Sequence, residues 1–414
     1  MATPPDLVAP FRGERYRATE RLSRLIAPPY DVIAPDQRAA VAAWDDHNIV
    51  HVMLPETAGG GDKYRHAAQL LAEWRAGGVL ERDAGPAVYV MAQTFTLPTG
   101  ERRARTGIFA AAAAEGYGPR RIRPHERTHR GPKADRLALL RATRTNLESI
   151  FLIAPDGEGS LAAALAAVTA GPADVTAELE GVDVALWVVR GDPSPIPLPP
   201  SPLYIADGHH RFETASAFAV ESHGADRLLA FIVSARDPGL VVLPTHRIIF
   251  GAGRSPGRLL PQWRERFEID PLEPGGDPLA RLAAVPRDRT ACVVLGPAAQ
   301  EYLLTLKPDA DLAALDASEP NATVRALDIT RIELFVVREI IGAGESTVTL
   351  DYSADGTKTT GIVRNGRAAT VAVLVRPSRV EQVFAVADSG GVMPPKSTFF
   401  VPKVPSGMVL RPVD

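Results

Sequence analysis

Apolar side chains follow two different periods along this chain, and together the two periods predict a mixed α/β fold. Residues 62–77 repeat apolar positions every three or four residues and Gly77-Gly78 closes the run, which predicts a helix. Val88–Leu97 and Arg103–Ala113 are apolar runs of strand length on either side of a Thr99-Gly100 turn signal. They are therefore predicted to form a pair of strands.

The same patterns continue as far as residue 250. A proline-rich connector, residues 191–202, leads into a short predicted strand. Further helices are predicted at 134–147, 160–169 and 211–220, and further strands at 150–154, 203–206, 228–234 and 240–243.

The chain has 414 residues, which is more than one hydrophobic core usually covers, so two domains are expected. The Gly-, Ser- and Pro-containing stretch 253–262 predicts a loop, and we place the boundary there, between 1–252 and 253–414. The second part is predicted to be a smaller α+β domain. It has predicted hairpins at 291–295 with 301–306 and at 347–352 with 359–364, a helix at 330–341, and either a helix or a strand at 380–387.

Composition excludes several classes of function. The net charge of −3 gives no overall attraction to nucleic acid or to an anionic membrane, so neither is expected as a partner. The single cysteine, Cys292, can form neither an internal disulfide nor a cysteine metal cluster. No run of 18 apolar residues and no signal peptide are apparent, so the cytoplasm is the expected compartment. The oligomeric state is left open between a monomer and a homodimer.

Lysine is rare in this chain, so each lysine in a motif is a candidate functional residue. Only six of the 46 basic residues are lysines. Lys133, Lys396 and Lys403 all lie in motif-like segments, where the ammonium group itself can matter. The alternative is that surface lysines were simply replaced by arginine.

The segment YIADGHHRFETA, residues 204–215, is the first candidate for chemistry. A strand is predicted to end at Ala206, Gly208 permits a sharp turn, and Asp207 can cap the helix that follows. His209, His210 and Arg211 then fall in the first turn, where the helix dipole disfavours cations but attracts anions. This arrangement favours a phosphate site, and the alternative is a capped helix with surface histidines.

A second cluster lies in RIRPHERTHRGPKADR, residues 121–136. Glu126 is a candidate acid or base, and His125, Lys133 and Arg136 are candidate phosphate ligands. An exposed basic loop before an amphipathic helix explains the same residues equally well. His125 and His129 are four residues apart, but the carboxylate pattern of a zinc protease is missing, so no metal site is predicted.

Three shorter segments add candidates. Pro28-Pro29 stiffen the chain before Asp31, which makes that carboxylate a candidate catalytic base, although a simple turn is an equal alternative. Polar residues at strand ends often line α/β pockets, and Thr245, His246 and Arg247 are such residues. The proline-rich tail 393–410 cannot be helical. It either folds back to bring Lys396 to the pocket or packs as a strand pair.

Taken in order, the motifs PPYDVI, HERT with PK-x-DR, YIADGHHR, PTHR and MPPKSTFF-x-PK resemble a large prokaryotic family, domain of unknown function 1015. Its DGHHR element is similar to the signature of the ParB/sulfiredoxin-like fold, whose members include partition proteins, sulfiredoxin and free serine kinases. The resemblance implies a ParB/sulfiredoxin-like catalytic core. His209 stands where sulfiredoxin needs a cysteine, and no helix-turn-helix follows the signature, so the small-molecule kinase branch remains.

By this analogy the chain is expected to be a phosphotransferase for a small hydroxylated metabolite, with free L-serine as the best candidate. ATP or ADP, with Mg²⁺, would be the phosphate donor. Asp31 would deprotonate the acceptor, with Glu126 as the second candidate, and Asp207 would orient the loop. Gly208, His209, His210 and Arg211 would bind phosphates, while Lys133 and Arg136 neutralise developing charge. A phosphoester hydrolase and a non-catalytic nucleotide sensor are the alternatives.

Overall fold

The alanine-rich run that ends at Ala113 forms a twelve-residue strand, Arg102–Ala113, inside a nine-stranded sheet. A computed structural model of the chain describes residues 6–57, 60–118, 120–128, 130–191, 194–273, 275–342, 348–366 and 370–413. Among these residues, none of the helices combines the length and the apolar character needed to cross a bilayer.

Contacts divide the chain into two units. The first holds the residues up to Val241 together with the segment from Pro402 onward, and the second is Val242–Val401. The division falls before the boundary predicted after residue 252, because His246–Phe250 is already a strand of the second unit's sheet.

The first unit is an α/β structure with short helices between many of its strands. Its strands are β1 (Val8–Ala9), β2 (Glu14–Tyr16), β3 (Leu80–Arg82), β4 (Ala87–Thr96), β5 (Arg102–Ala113), β6 (Ile122–Arg123), β7 (Thr145–Asn146), β8 (Ile150–Ala154), β9 (Val175–Leu179), β10 (Val182–Arg190), β11 (Leu203–Asp207) and β12 (Arg227–Ser234). Its helices are α1 (Leu22–Leu25), α2 (Pro35–Ala42), α3 (Val50–Met53), α4 (Lys63–Ala76), α5 (Arg130–Thr143), α6 (Ser160–Thr169) and α7 (His209–Glu221), with a 3-10 turn at Thr19–Arg21.

The order of strands in the large sheet decides which chain segments meet. The order is β6-β11-β8-β12-β5-β4-β10-β9, and β1 pairs with β5. β11 is antiparallel to β8, with Asp207 opposite Phe151, whereas β6 and β11 are parallel, as are β8 and β12. Because β11 ends where β8 begins, Glu148 and Ser149 lie beside the turn that follows Asp207.

Small residues on β5 leave room for helices against the sheet. Ala110 and Ala112 belong to a buried cluster that also contains Ile205 of β11, together with Phe212 and Ala215 of α7. The ring of Phe212 also stacks on Tyr117, with ring centroids 5.0 Å apart. Helix α7 is therefore fixed to the sheet within one turn of its start.

The second unit has its own six-stranded sheet, in the order β15-β17-β16-β19-β14-β18, and β13 pairs with β20. Its strands are β13 (Val241–Leu243), β14 (His246–Phe250), β15 (Phe267–Pro271), β16 (Ala291–Gly296), β17 (Gln300–Leu306), β18 (Thr349–Ser353), β19 (Thr370–Leu374) and β20 (Phe399–Val401). Its helices are α8 (Pro256–Arg266), α9 (Pro278–Ala283), α10 (Ala313–Ser318), α11 (Ala322–Arg325), α12 (Asp328–Ile332), α13 (Arg338–Ile341), α14 (Gly356–Arg364) and α15 (Val380–Asp388), with a π-helical turn at Glu333–Val337.

The predicted elements of this unit are partly confirmed. β16 and β17 pair as the predicted antiparallel hairpin. The second predicted hairpin is wrong, because Gly356–Arg364 is helical and β18 pairs with β14 instead. Thr359, Thr360 and Val363 are buried at helical spacing, and the Asp355 side chain accepts a hydrogen bond from the N–H of Lys358 at the start of the helix.

The predicted loop at 253–262 is also wrong. Pro256 begins α8 at the helix position that tolerates proline, and Leu259 and Trp263 are buried four residues apart. The helix therefore has a buried face that the local Gly, Ser and Pro content obscures.

The end of the chain forms part of the first unit. β21 (Arg411–Pro412) pairs with β7, and single bridges join Ser406 to Ala27 and Leu410 to Glu14. The returning segment begins at Pro402, so it contains Lys403, whereas Lys396 belongs to the second unit.

The packing of α7 predicts a large loss of stability for Phe212→Ala. The Phe212 side chain is fully buried, and removing the ring should lower the free energy of unfolding of the first unit by about 3–5 kcal/mol. Val220→Ala is the matched control, because Val220 lies on the same helix and is 91% exposed. Urea titration, monitored by hydrogen exchange in β11 and β12, measures the free energy of unfolding of both variants. An equal loss of that free energy in the two variants would contradict this packing.

Candidate functional site

A left-handed turn joins β11 to α7. Gly208 has φ of +89°, a conformation that side chains with a Cβ resist, and His209 begins the helix. A Cβ at Gly208 would lie 3.1 Å from the Arg211 guanidinium. Glycine therefore permits both the turn and the position of Arg211, as the DGHHR motif predicts.

The Asp207 carboxylate binds two cations through separate oxygens. Oδ2 accepts a hydrogen bond from Nη2 of Arg211 at 2.8 Å, and Oδ1 accepts one from Nζ of Lys403 at 3.1 Å. Burial by itself would raise the pKa of Asp207, but Lys403 and Arg211 outweigh it and hold that pKa well below its usual range. Asp207 is therefore a permanent anion that fixes two cations at the start of α7.

Arg211 connects this turn to two other segments. Nη1 donates to the carbonyl oxygen of Ser149, and Nη2 lies 3.9 Å from Oδ2 of Asp31. The side chain is only 9% exposed, and its buried Nε has no hydrogen-bond partner among the residues that the structure describes. Burial would lower the pKa of Arg211, but Asp31 and Glu148 oppose it and the pKa is raised.

Glu148 is a second buried anion of this cluster, and sequence reasoning missed it. Its Oε1 accepts the backbone N–H of Tyr30 at 3.0 Å, and its Oε2 lies 3.9 Å from Nη1 of Arg136. Burial raises the pKa of Glu148, although Arg211 and Arg136 act in the opposite direction. The available signal was an acidic residue two positions before the wholly apolar strand β8.

Arg136 positions the loop that carries Asp31. Its guanidinium carbon lies 4.5 Å from the centroid of the Tyr30 ring, and Nη1 donates to the carbonyl oxygen of Met53 at 2.8 Å. Burial, together with the Asp31 charge, raises the pKa of Tyr30 to about 12. Tyr30 is thus held on one side, and the neighbouring Asp31 side chain remains 38% exposed.

His125 and His209 form a buried pair. The backbone N–H of His125 donates to Nε2 of His209 at 3.3 Å, and the two rings meet edge to face with centroids 4.8 Å apart. Burial lowers the pKa of His125 to about 4 and that of His209 well below its ordinary value. Both rings are therefore neutral at pH 7, and a phosphate-binding role for His209 stays a prediction.

Lys133, another residue predicted near this turn, connects α5 to α7. Nζ of Lys133 lies 2.6 Å from Oε2 of Glu213, which also accepts a hydrogen bond from Oγ1 of Thr128 at 2.8 Å. Glu126 lies two residues before Thr128, in the connection from β6 to α5, and His210 is half-buried in the first turn of α7. His129 lies outside the described residues.

Four predicted residues belong to the second unit, and the side chains of two of them have partners within it. Buried Arg247 lies with Nε 3.3 Å from Oε2 of Glu333 and donates from Nη1 to the carbonyl oxygen of Thr245. Nδ1 of His246 accepts the N–H of Val375 at 3.1 Å, and burial lowers the pKa of His246 to about 4. Lys396 has φ of +56°. For Thr245, His246, Arg247 and Lys396 a role at the pocket stays a prediction.

Two spaces adjoin the charged cluster. A small pocket of about 60 Å³ is lined by Arg136, Glu148, Arg211 and Thr214, among others. An open groove of about 840 Å³ is lined by Arg38, Lys63, Asp135 and Arg136, among others. Arg136 lines both, so the two spaces meet at its side chain.

Comparison with known proteins gives one family match. A family model described as a protein of unknown function, DUF1015, matches residues 8–330. No curated protein matches the chain. A solved structure of a free serine kinase in complex with AMP is 15% identical, with 71% of this chain and 87% of that chain covered and a TM-score of 0.37.

Two other solved structures give similar values. A conserved hypothetical protein from Pyrococcus furiosus is 14% identical over 72% of this chain and 93% of that chain, with a TM-score of 0.36. SbnI from Staphylococcus aureus with a C-terminal truncation is 9% identical over 72% and 84%, with a TM-score of 0.36. These values describe a distant likeness.

The histidine pair predicts a pH dependence of stability. The folded-state pKa of His125, about 4, lies below the unfolded value of about 6.5, so the unfolded chain binds the proton first as the pH falls. The contribution of neutral His125 to the free energy of unfolding is therefore complete above pH 6.5. Protonation of His125 in the unfolded chain should lower that free energy by about 3 kcal/mol between pH 6.5 and pH 4.

His125→Gln should make this fall smaller by that amount in urea titrations at pH 4 and pH 7. His223→Gln is the control, because the His223 side chain is exposed in the folded protein. The same pH dependence in wild type and His125→Gln would contradict the buried neutral pair.

Proposed function

The chain belongs to the DUF1015 family of proteins of unknown function, and from the geometry around Asp207 we propose that it is a nucleotide-dependent phosphotransferase. Its acceptor in this proposal is a small hydroxylated metabolite, with free L-serine as the best candidate. ATP or ADP supplies the phosphoryl group. The observation that carries the proposal is the meeting of Arg211, Lys403 and an exposed carboxylate, Asp31, at the start of α7.

The start of α7 suits a phosphate for reasons that do not depend on any relative. The first N–H groups of a helix have no partner within the helix, and the helix dipole is positive at this end. The left-handed turn at Gly208 brings the chain directly from β11 into that first turn. The resemblance of DGHHR to the ParB/sulfiredoxin-like signature supports the same location for the nucleotide phosphates.

Charge balance explains how a phosphate can enter. Asp31 and Glu148 both raise the pKa of Arg211, but Asp31 is 38% exposed, and its Oδ2 at 3.9 Å is too far from Nη2 for a hydrogen bond. A phosphate oxygen can therefore take the place of Asp31 beside Arg211, while Asp207 and the Ser149 carbonyl oxygen keep the guanidinium in position. Asp31 then becomes available to the acceptor.

Asp31 is our first candidate for the group that removes the proton from the acceptor hydroxyl, and Glu126 is the second. Asp31 sits on a rigid Pro-Pro-Tyr-Asp loop that Arg136 and Glu148 hold through Tyr30. Glu126 follows His125, whose backbone contacts the first residue of α7. Phosphoryl transfer depends mainly on such positioning and on electrostatic stabilisation.

Mg²⁺ that accompanies the nucleotide fits this donor set. Magnesium is commonly held by one or two carboxylates together with the phosphates of the substrate. Asp31 is an exposed carboxylate oxygen donor next to the proposed phosphate position. When bound, the ion would neutralise phosphate charge.

The neutral histidines act on geometry in this proposal. His209 and His125 orient the turn at Gly208, and Lys133 fixes α5 to α7 through Glu213. Arg136 likewise acts on the Tyr30 loop. Developing charge on the transferred group is then met by Arg211 and the N–H groups of α7 rather than by Lys133 or Arg136.

Asp31→Asn tests the proposal directly. Wild-type protein, L-serine and ATP or ADP should give O-phosphoserine, and the variant should lose about 10²–10⁴-fold in kcat because it lacks the general base. Nucleotide affinity measured without Mg²⁺ should change little. Product is measured by mass spectrometry, and Asp36→Asn, at an exposed carboxylate on α2, should behave as wild type.

Glu126→Gln is assayed beside it and identifies the base if Asp31→Asn remains active. Release of inorganic phosphate without any organic product would show a hydrolase instead. Nucleotide binding without turnover of any hydroxy amino acid would contradict the phosphotransferase and indicate a nucleotide sensor.

A further inference from the structure

Lys403 comes to the site from the far end of the chain. It lies well beyond residues 8–330, which match the family model, in the segment that rejoins the first unit at Pro402. Its Nζ is nevertheless 3.1 Å from Oδ1 of Asp207, the residue that leads into the Gly208 turn.

Buried side chains fix the main chain on either side of this contact. Nη2 of Arg105 donates to the carbonyl oxygen of Pro402 at 2.6 Å, and Nε2 of Gln93 donates to that of Lys403 at 2.9 Å. Arg105 also donates to Oε1 of Gln93, and both side chains are buried. The stem of Lys403 therefore starts from an anchored backbone, and little ordering remains for its ammonium group to bind a ligand.

Asp207 does not need Lys403 in order to stay paired. Its other oxygen is hydrogen-bonded to Arg211 at 2.8 Å, so the ammonium can leave Oδ1 without leaving the carboxylate unpaired. The two cations also differ in access, because the side chain of Lys403 is 21% exposed and that of Arg211 only 9%. Lys403 is thus the cation of this pair that can reach toward a ligand.

The start of α7 is a more favourable place for an anion than for the ammonium group of a lysine. A cation near a helix start opposes the helix dipole, whereas a phosphate there is stabilised both by the dipole and by the cation. A lysine is also well suited to change partners, since its ammonium is a compact charge on a flexible stem. Lysine is moreover the rare choice in this chain, with six lysines among 46 basic residues.

We propose that Lys403 is a phosphate-binding residue, which moves from Oδ1 of Asp207 to the outermost phosphate of a bound nucleoside di- or triphosphate. The inference rests on the proposed nucleotide site at the start of α7 and adds a ligand from the end of the chain. Arg211 keeps Asp207 in place during the exchange.

Calorimetric titration of the full-length protein with adenosine, AMP, ADP and ATP tests this role. Lys403→Met should weaken ADP and ATP binding about 10–100-fold, the effect of losing one hydrogen bond to a charged group. Adenosine binding should not change, because adenosine carries no phosphate. Lys403→Arg should recover most of the ADP affinity, and Lys358→Met, at an exposed lysine, should match wild type.

The outcomes separate the two proposals. If wild type binds no nucleotide, the proposed function fails and this inference fails with it. If wild type binds ADP and Lys403→Met binds it equally well, only the lysine role is overturned, and Lys403 is a counter-ion of Asp207. An equal loss for adenosine and ADP would show a structural effect and would also overturn it.

A measurement on wild type covers the case in which Lys403→Met does not fold. Reductive methylation of lysines, mapped by mass spectrometry, should be slowed at Lys403 by ADP and left unchanged by adenosine. Lys358 is the internal control. Equal methylation of Lys403 with and without saturating ADP would contradict the proposal.

Discussion

The first unit is organised around one half-buried anion, the Asp207 carboxylate. It ends β11, it holds Arg211 from the first turn of α7, and it holds Lys403 from the end of the chain. Two separate cations on its two oxygens hold its pKa well below the usual range although it is partly buried. Replacing the carboxylate would therefore remove one partner from Arg211 and one from Lys403 at the same time.

Glu148 extends this arrangement toward the Asp31 loop. Its buried side chain accepts the N–H of Tyr30, and Arg136 and Arg211 both act on its pKa, so Glu148 aligns the loop that carries the candidate base. Sheet order explains why Glu148 is there, since β8 begins beside the end of β11. In the proposed site, a phosphate would enter by replacing Asp31, which is more exposed than Asp207 or Glu148.

Local patterns predicted much of the fold, and long-range pairing explains what they missed. β8 and α6 have the predicted bounds, 150–154 and 160–169, because each is defined by its own run of apolar residues. Glycine at 208 likewise revealed the turn. Glu148 and Lys403 could not be placed at the site, since only the antiparallel partner of β11 and the returning chain end bring them there. The burial of His209 against His125, which lowers the pKa of His209, also does not show in the sequence.

A crystal structure of the protein with ADP tests the central claim most directly. The account predicts the diphosphate at the start of α7, with oxygens within about 3 Å of the first-turn N–H groups and of an Arg211 or Lys403 nitrogen. Asp207 should remain bound to Arg211. A diphosphate bound along the groove of Arg38 and Lys63, or in the second unit, with the Asp207 cluster unchanged, would contradict it.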